Sequence, residues 1–156
     1  MSTHYSGTPQ EKRVLDTWIK LSRAKETIGH QLRRLLDGRG VTITQFGVLE
    51  ILHHIGPLPL KAIGNKILLS SSNLVTVIDN LEKRGLVIRQ ANEKDRRSST
   101  IHLTPGGVST IEPIFEDHLA DLSKCFSVLN ETELRTLGEL SKKLGTQQNN
   151  TKRKQK

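Results

Sequence analysis

Aromatic residues are nearly absent: one Trp, one Tyr and three Phe make up 3% of 156 residues. The core must therefore be aliphatic, which argues against a haem or flavin site walled by rings. It argues equally against single-stranded nucleic acid held by stacking, because that mode needs aromatic platforms. The one cysteine, Cys125, forbids an internal disulfide and a four-thiolate zinc site. No apolar run approaches the roughly 18 residues of a membrane span, so no membrane partner is expected. Residues 1–9 are polar and form no signal peptide, and a reducing, cytoplasmic compartment is the expectation. Catalytic constellations are missing too. There is no Gly-rich phosphate loop, no elbow serine and no metal dyad on a helix. Ser70-Ser71-Ser72 has no histidine base at fixed spacing, and a hydroxyl without a base is a poor nucleophile. An enzyme is not expected, nor is a cofactor or a structural metal.

What the chain does have is positive charge. Lys and Arg number 24 against 16 Asp and Glu, a net of +8, and such a surplus implies an anionic partner. The surplus is uneven. Residues 60–104 hold eight basic and four acidic side chains, whereas residues 105–145 are net acidic. Residues 146–156 carry four basic groups, no acidic group and no apolar side chain. They read as a disordered basic tail, a solubilising end in preference to an arm touching DNA.

Hydrophobic periodicity supplies the elements. Val14, Trp18, Leu21, Ile28, Leu32 and Leu35 mark a long amphipathic helix ending near Gly38 and Gly40. Thr42 and Gln45 form a capping box, bracketed by Val41 and Phe46, for a helix with the stripe Phe46, Leu49, Leu52 and Ile55. Gly56-Pro57 ends it. A short helix follows with Leu60, Ile63, Gly64 and Ile67 on one face. Ser70 then caps a helix whose stripe is Leu74, Val77, Ile78 and Leu81, stapled by Leu69 and closed by Gly85. The period next falls to two. Leu86 to Gln90 and Ser99 to Leu103 read as strands, with the polar stretch 91–98 as a hairpin tip. Thr104-Pro105 opens a helix with Val108, Ile111, Phe115, Leu119, Leu122 and Phe126 inward. Pro113 is expected to kink it or to mark a late start. Asn130 and Glu133 box a last helix with Leu134, Leu137, Leu140 and Leu144, closed by Gly145.

Two short helices joined by a tight turn and followed by a hairpin make a winged helix-turn-helix. The expected class is therefore mainly α with a small antiparallel β-hairpin. The second helix of the pair matches the major groove in width, and its N-terminal half meets base edges. With its stripe buried, the opposite face offers Ser71, Ser72, Asn73, Val75, Thr76, Asp79, Asn80 and Lys83. Ser71 and Ser72 lie where free N–H groups and the helix dipole attract phosphate. Asn73 and Thr76 are the candidate base readers, and Val75 suits a thymine methyl. The tip carries Lys94, Arg96 and Arg97, and arginine suits the narrow minor groove. Asp95 has two readings: it holds one arginine ready for DNA, or it caps the turn. The competing class is a winged-helix scaffold for another protein.

These residues resemble the MarR family of bacterial transcriptional regulators. The resemblance is carried by Thr44 to Leu52, Leu69 to Leu74, Asp79 to Arg89, and Asp95-Arg96-Arg97-Ser98 continuing to Leu103-Thr104-Pro105-Gly106-Gly107. Its sharpest piece is Asp-x-Arg before a strand ending in Leu-Thr, which falls on Asp95 and Arg97. The resemblance implies an obligate homodimer gripping a pseudo-palindromic double-stranded operator. It also implies repression, relieved by a small phenolic or quinone-like ligand or by oxidation. Residues 1–40 then serve as an N-terminal dimerisation helix and 41–104 as the DNA-binding domain. Residues 105–145 supply C-terminal dimerisation helices, and 146–156 the tail. The one-sided stripes of the terminal helices agree, since a small wing lobe cannot cover them and a shared interface can.

The signal has several candidates. Cys125, between Leu122 and Phe126, reads as a packed small hydrophobe before a redox thiol, which needs thiolate character and access. Relatives that sense hydroperoxides carry a cysteine in the first helix, where this chain has Ser22 and none. His30 is a candidate for lining a ligand pocket. His118 with Glu116 or Asp117, together with His53 or His54, is the candidate set for a zinc-responsive alternative.

Overall fold

A computed structural model of the chain describes residues 5–67, 71–92 and 95–153, with the side chains of 71, 72, 92, 95–98 and 147–153 outside that description. The elements run α1 (Pro9–Leu36), α2 (Ile43–Ile55), β1 (Leu58–Pro59), α3 (Leu60–Ile67), α4 (Ser71–Lys83), β2 (Val87–Asn92), β3 (Asp95–Leu103), α5 (Pro105–Phe126) and α6 (Glu131–Arg153). The fold is mainly helical with a small antiparallel sheet, as the periodicity implies. The chain divides into two units, Met1–Leu119 and Ala120–Lys156.

Helix α1 begins earlier than its apolar stripe. Thr8 accepts from the Glu11 amide, Glu11 Oε2 accepts from the Thr8 amide at 2.8 Å, and Pro9 sits at the first helical position. Those hydrogen bonds from Thr8 hold the Glu11 carboxyl below its ordinary pKa. The stripe itself splits. Leu32, Leu35 and Leu36 join the core, while Val14, Trp18 and Leu21 are exposed.

Helix α2 carries the expected box: Thr42 and Gln45 satisfy each other's amides at 3.2 and 3.1 Å. Its inward face is Phe46, Val48, Leu49 and Leu52; Ile55, placed on the stripe by spacing, is 52% exposed. Gly56 at φ 87° turns the chain there, ending the helix beside Ile55, while Val48, which the spacing leaves off the stripe, is fully buried. Leu58 and Pro59 pair with Ile101 and Thr100, so the hairpin belongs to a three-stranded sheet ordered β1-β3-β2. Leu74, Ile78 and Leu81 of α4 are buried against this frame. The Ser70 cap and its Leu69 staple lie outside the described residues. At the far end of α4, the Gly85 amide donates to Glu82 and the Leu86 amide to Leu81, with Gly85 at φ 69°.

Thr104 joins the wing to α5. Its hydroxyl donates to the Gly85 carbonyl at 2.7 Å and accepts from the Gly107 amide at 2.9 Å. The helix starts at once and passes through Pro113 without interruption, so no late start occurs. Gly107, Ile111 and Ile114 are its buried residues, whereas Leu119, expected inward, is exposed.

In the second unit, Asn130 and Glu133 form the expected box at 2.9 and 3.0 Å. Leu134, Leu137, Leu140 and Leu144 of α6 are all exposed. The helix continues past Gly145 to Arg153. Gly145 takes no left-handed conformation and no proline follows, so nothing stops the helix there. The stretch expected as a disordered tail from residue 146 is thus helical as far as Arg153, and residues 154–156 lie outside the described residues.

Candidate nucleic-acid interface

The burial of Leu74, Ile78 and Leu81 decides what α4 shows to solvent. Asn73, Val75, Thr76, Asn80 and Lys83 are exposed, with Val75 at 40%. Asn73, Thr76, Asn80 and Lys83 recur at helical spacing, so they line one face as a row of short polar groups ending in a cation. Ser71 and Ser72 occupy the first turn of α4, but their side chains lie outside the described residues.

Asp79 is placed differently from the rest of that row. Arg89 of β2 reaches back to α4, donating from Nη2 to Asp79 Oδ1 and from Nη1 to Glu82 Oε2. The Arg89 amide also donates to Glu82 Oε1 at 3.0 Å. Partial desolvation disfavours the guanidinium charge, but the hydrogen bond and the charges of Asp79 and Glu82 outweigh it. The group is held above its ordinary pKa. Arg84 ties the C-terminal end of α4, donating to the Gly40 carbonyl at 2.8 Å and to Gln45 Oε1 at 3.3 Å. None of these ties is visible to sequence periodicity. The spacing of Asp79 and Glu82 puts both on one helix face, which is the only available sign.

The wing is longer than its sequence suggests. Strands β2 and β3 pair from Val87↔Leu103 to Ala91↔Ser99, then shift register and end at Asn92↔Asp95. Asp95, Arg96 and Arg97 thus belong to β3, not to a loop over 91–98. Ladder pairing satisfies backbone groups, and polar side chains along it mark solvent, not the absence of a strand. The side chains of Asp95, Arg96 and Arg97, and Lys94 altogether, lie outside the described residues.

A second feature of the first unit is a cleft of about 290 Å³ lined by Leu32, Ile43, Thr44, Phe46, Gly47, Glu50, Ile67 and His118. The His118 ring stands edge-on to Phe46, with centroids 5.2 Å apart. His30 does not line this cleft; its side chain is 65% exposed and its Nε2 lies 3.4 Å from Glu26. Three residues of the zinc alternative have other contacts. His53 and His54 pack on Phe115, and Asp117 accepts from Arg39. Among the described residues, no three His, Cys, Asp or Glu side chains gather as a metal site. Cys125 is half-buried. No helix among the described residues is long and apolar enough to cross a membrane.

The MarR family profile matches residues 41–99, the stretch from α2 into the wing. The chain is 38% identical over 134 residues to the HTH-type transcriptional regulator MhqR of Bacillus subtilis, covering 86% of this chain and 92% of that protein. The chain belongs to the MarR family. It is also similar to the HTH-type transcriptional repressor MdtR of Bacillus subtilis, 28% identical over 134 residues, with 86% of each chain covered. Among solved structures it is similar to NadR in complex with 4-hydroxyphenylacetate. The TM-score is 0.75 at 25% identity, covering 92% of this chain and 97% of that one. This MarR protein is accordingly a winged-helix transcriptional regulator.

Proposed function

We propose that this protein is a dimeric repressor that reads a pseudo-palindromic operator and releases it on binding a small phenolic or quinone-like ligand. The observation that carries the reading is the α4 face: a buried Leu74-Ile78-Leu81 stripe backed by an exposed row of Asn73, Thr76, Asn80 and Lys83. Asn can pair with an adenine edge and Thr with either kind of base, so short polar groups on a slender helix suit base edges in the major groove. The wing arginines Arg96 and Arg97 supply the minor-groove charge, with Lys94 and Asp95 at the tip, and Ser71 and Ser72 meet a phosphate.

Dimerisation is supported by the uncovered apolar residues Val14, Trp18 and Leu21 on α1 and the four leucines of α6. A two-fold pair of reading heads demands half-sites about one helical turn apart. Repression is supported by the likeness to MdtR. The effector is supported by the cleft of about 290 Å³, which has apolar walls and Thr44, Glu50 and His118 as polar points. The likeness to NadR, solved with a phenolic acid, points the same way.

Selection from random duplex DNA tests the reading. The expected result is an enriched inverted repeat, bound with an affinity that falls steeply with salt as the gain from counterion release shrinks. Added phenols or quinones are expected to release it. Failure to enrich any sequence, or a salt-independent partner protein in place of DNA, overturns the proposal.

A further inference from the structure

Arg89 lies on the wing strand, yet its side chain spends both arms of its guanidinium on the reading helix. One arm meets Asp79, the other meets Glu82, and the Arg89 amide holds the second oxygen of Glu82. Asp79 and Glu82 are one turn apart on α4, so the three bonds fix an angle as well as a distance. A planar fork spanning two carboxylates has this property and a point charge does not. The Arg89 side chain is 29% exposed, and ion pairs that open to solvent add little to fold stability. The buried stripe of α4 already secures the helix to the core. The network therefore adds, to helices and strands the core already holds, a fixed orientation between the wing strand and α4.

The two elements it joins enter different grooves, so their mutual orientation decides whether both engage at once. The network also occupies Asp79, a carboxylate next to the row that faces DNA, where an unpaired negative charge repels phosphate. Resting on the operator-reading proposal above, we infer that Arg89 is a positioning residue for DNA recognition: it clamps the wing to α4 through Asp79 and Glu82, so that helix and hairpin dock on one operator half-site as a single preformed body. Preforming the pair removes an ordering cost from the bound state, and the gain falls on the operator because only there do both elements find their contacts.

The test compares full-length wild-type protein with R89K and D79A, each titrated against the selected operator and a random duplex at several salt concentrations, with melting as a control. R89K keeps the charge and loses the fork. D79A removes one anchor and also one negative charge, which by electrostatics alone tightens binding to any DNA. Both variants are expected to lose operator preference by about tenfold, the scale of one well-placed contact. R89K keeps the wild-type salt dependence, and D79A binds random duplex at least as well as wild type. Equal losses on both duplexes, or an unchanged preference in either variant, overturn the clamp. Loss in D79A alone assigns Asp79 to a base contact and overturns it as well. If the wild-type protein discriminates no sequence, the operator reading fails first; if it discriminates and the variants match it, only the clamp fails.

Discussion

At the scale of single residues, the outward row of α4 was legible because its complement is aliphatic. Leu74, Ile78 and Leu81 are buried, and the geometry of a helix then leaves Asn73, Thr76 and Asn80 outside. Asp79 shows the limit of that inference. Spacing assigns it to the presented face, but its partner Arg89 arrives from a strand ten residues on, beyond the Gly85 turn. Hydrophobic pattern cannot report an ion pair between elements. The His118 wall of the cleft was hidden for the same reason, since it meets Phe46 from a helix seventy-two positions away in sequence. Thr76 is the residue on which base reading is most exposed to test. Thr76→Ala removes a hydroxyl and a methyl from an exposed helix position and leaves the core untouched. Operator affinity is expected to fall by ~1–3 kcal/mol, the scale of a specific base contact, with little change on random duplex. Titration against both duplexes checks it, and equal losses exclude Thr76 from reading sequence.

At the scale of elements, the boundaries that carried a chemical signature were read well. The Thr42–Gln45 and Asn130–Glu133 boxes stand as expected, because reciprocal capping is local chemistry written three residues apart. The Thr8–Glu11 box carries the same signature, but no apolar stripe begins until Val14, so periodicity places the start of α1 too late. The strand Leu58–Pro59 is too short to have a period, and only its pairing with Ile101 and Thr100 defines it. The junction of wing and α5 makes a demand the sequence states only as a glycine. A Cβ on Gly107 meets the Leu86 carbonyl oxygen at 2.1 Å and Leu103 Cδ1 at 2.7 Å. That carbonyl already accepts from the Thr104 amide at 3.1 Å, so it cannot retreat without loosening the joint. Gly107→Ala is therefore expected to destabilise the fold by ~1–3 kcal/mol, the range of overpacking, despite alanine's better helix propensity. Denaturant unfolding measures it; a variant as stable as wild type shows that α5 slides freely at its start.

At the scale of the whole molecule, the surface carries more uncovered apolar side chain than a chain with so small an aliphatic core can leave wet without consequence. Trp18 is 63% exposed on α1, and Leu134, Leu137, Leu140 and Leu144 stand open in a row on α6. The pattern of the stripes was legible from spacing, but whether a helix face is covered by its own chain is a property of tertiary packing. Burying a fully exposed leucine contributes about 1.5–3 kcal/mol, and these four are already about half covered, so each adds a part of that to the drive for the proposed second copy to cover them. Leu140, 53% exposed in the middle of that row, is the place to cut it. Leu140→Glu puts a charge in the middle of the apolar face that the proposed dimer buries, and glutamate keeps the helix propensity high. The expected outcome is a shift from dimer to monomer in sedimentation, with helical content unchanged. Operator affinity falls with it, because one reading head holds half the contacts and the second no longer binds at the high effective concentration of a tethered partner. A variant that still sediments as a dimer removes α6 from the interface, and a monomer that binds the full operator as tightly as wild type removes the need for two heads.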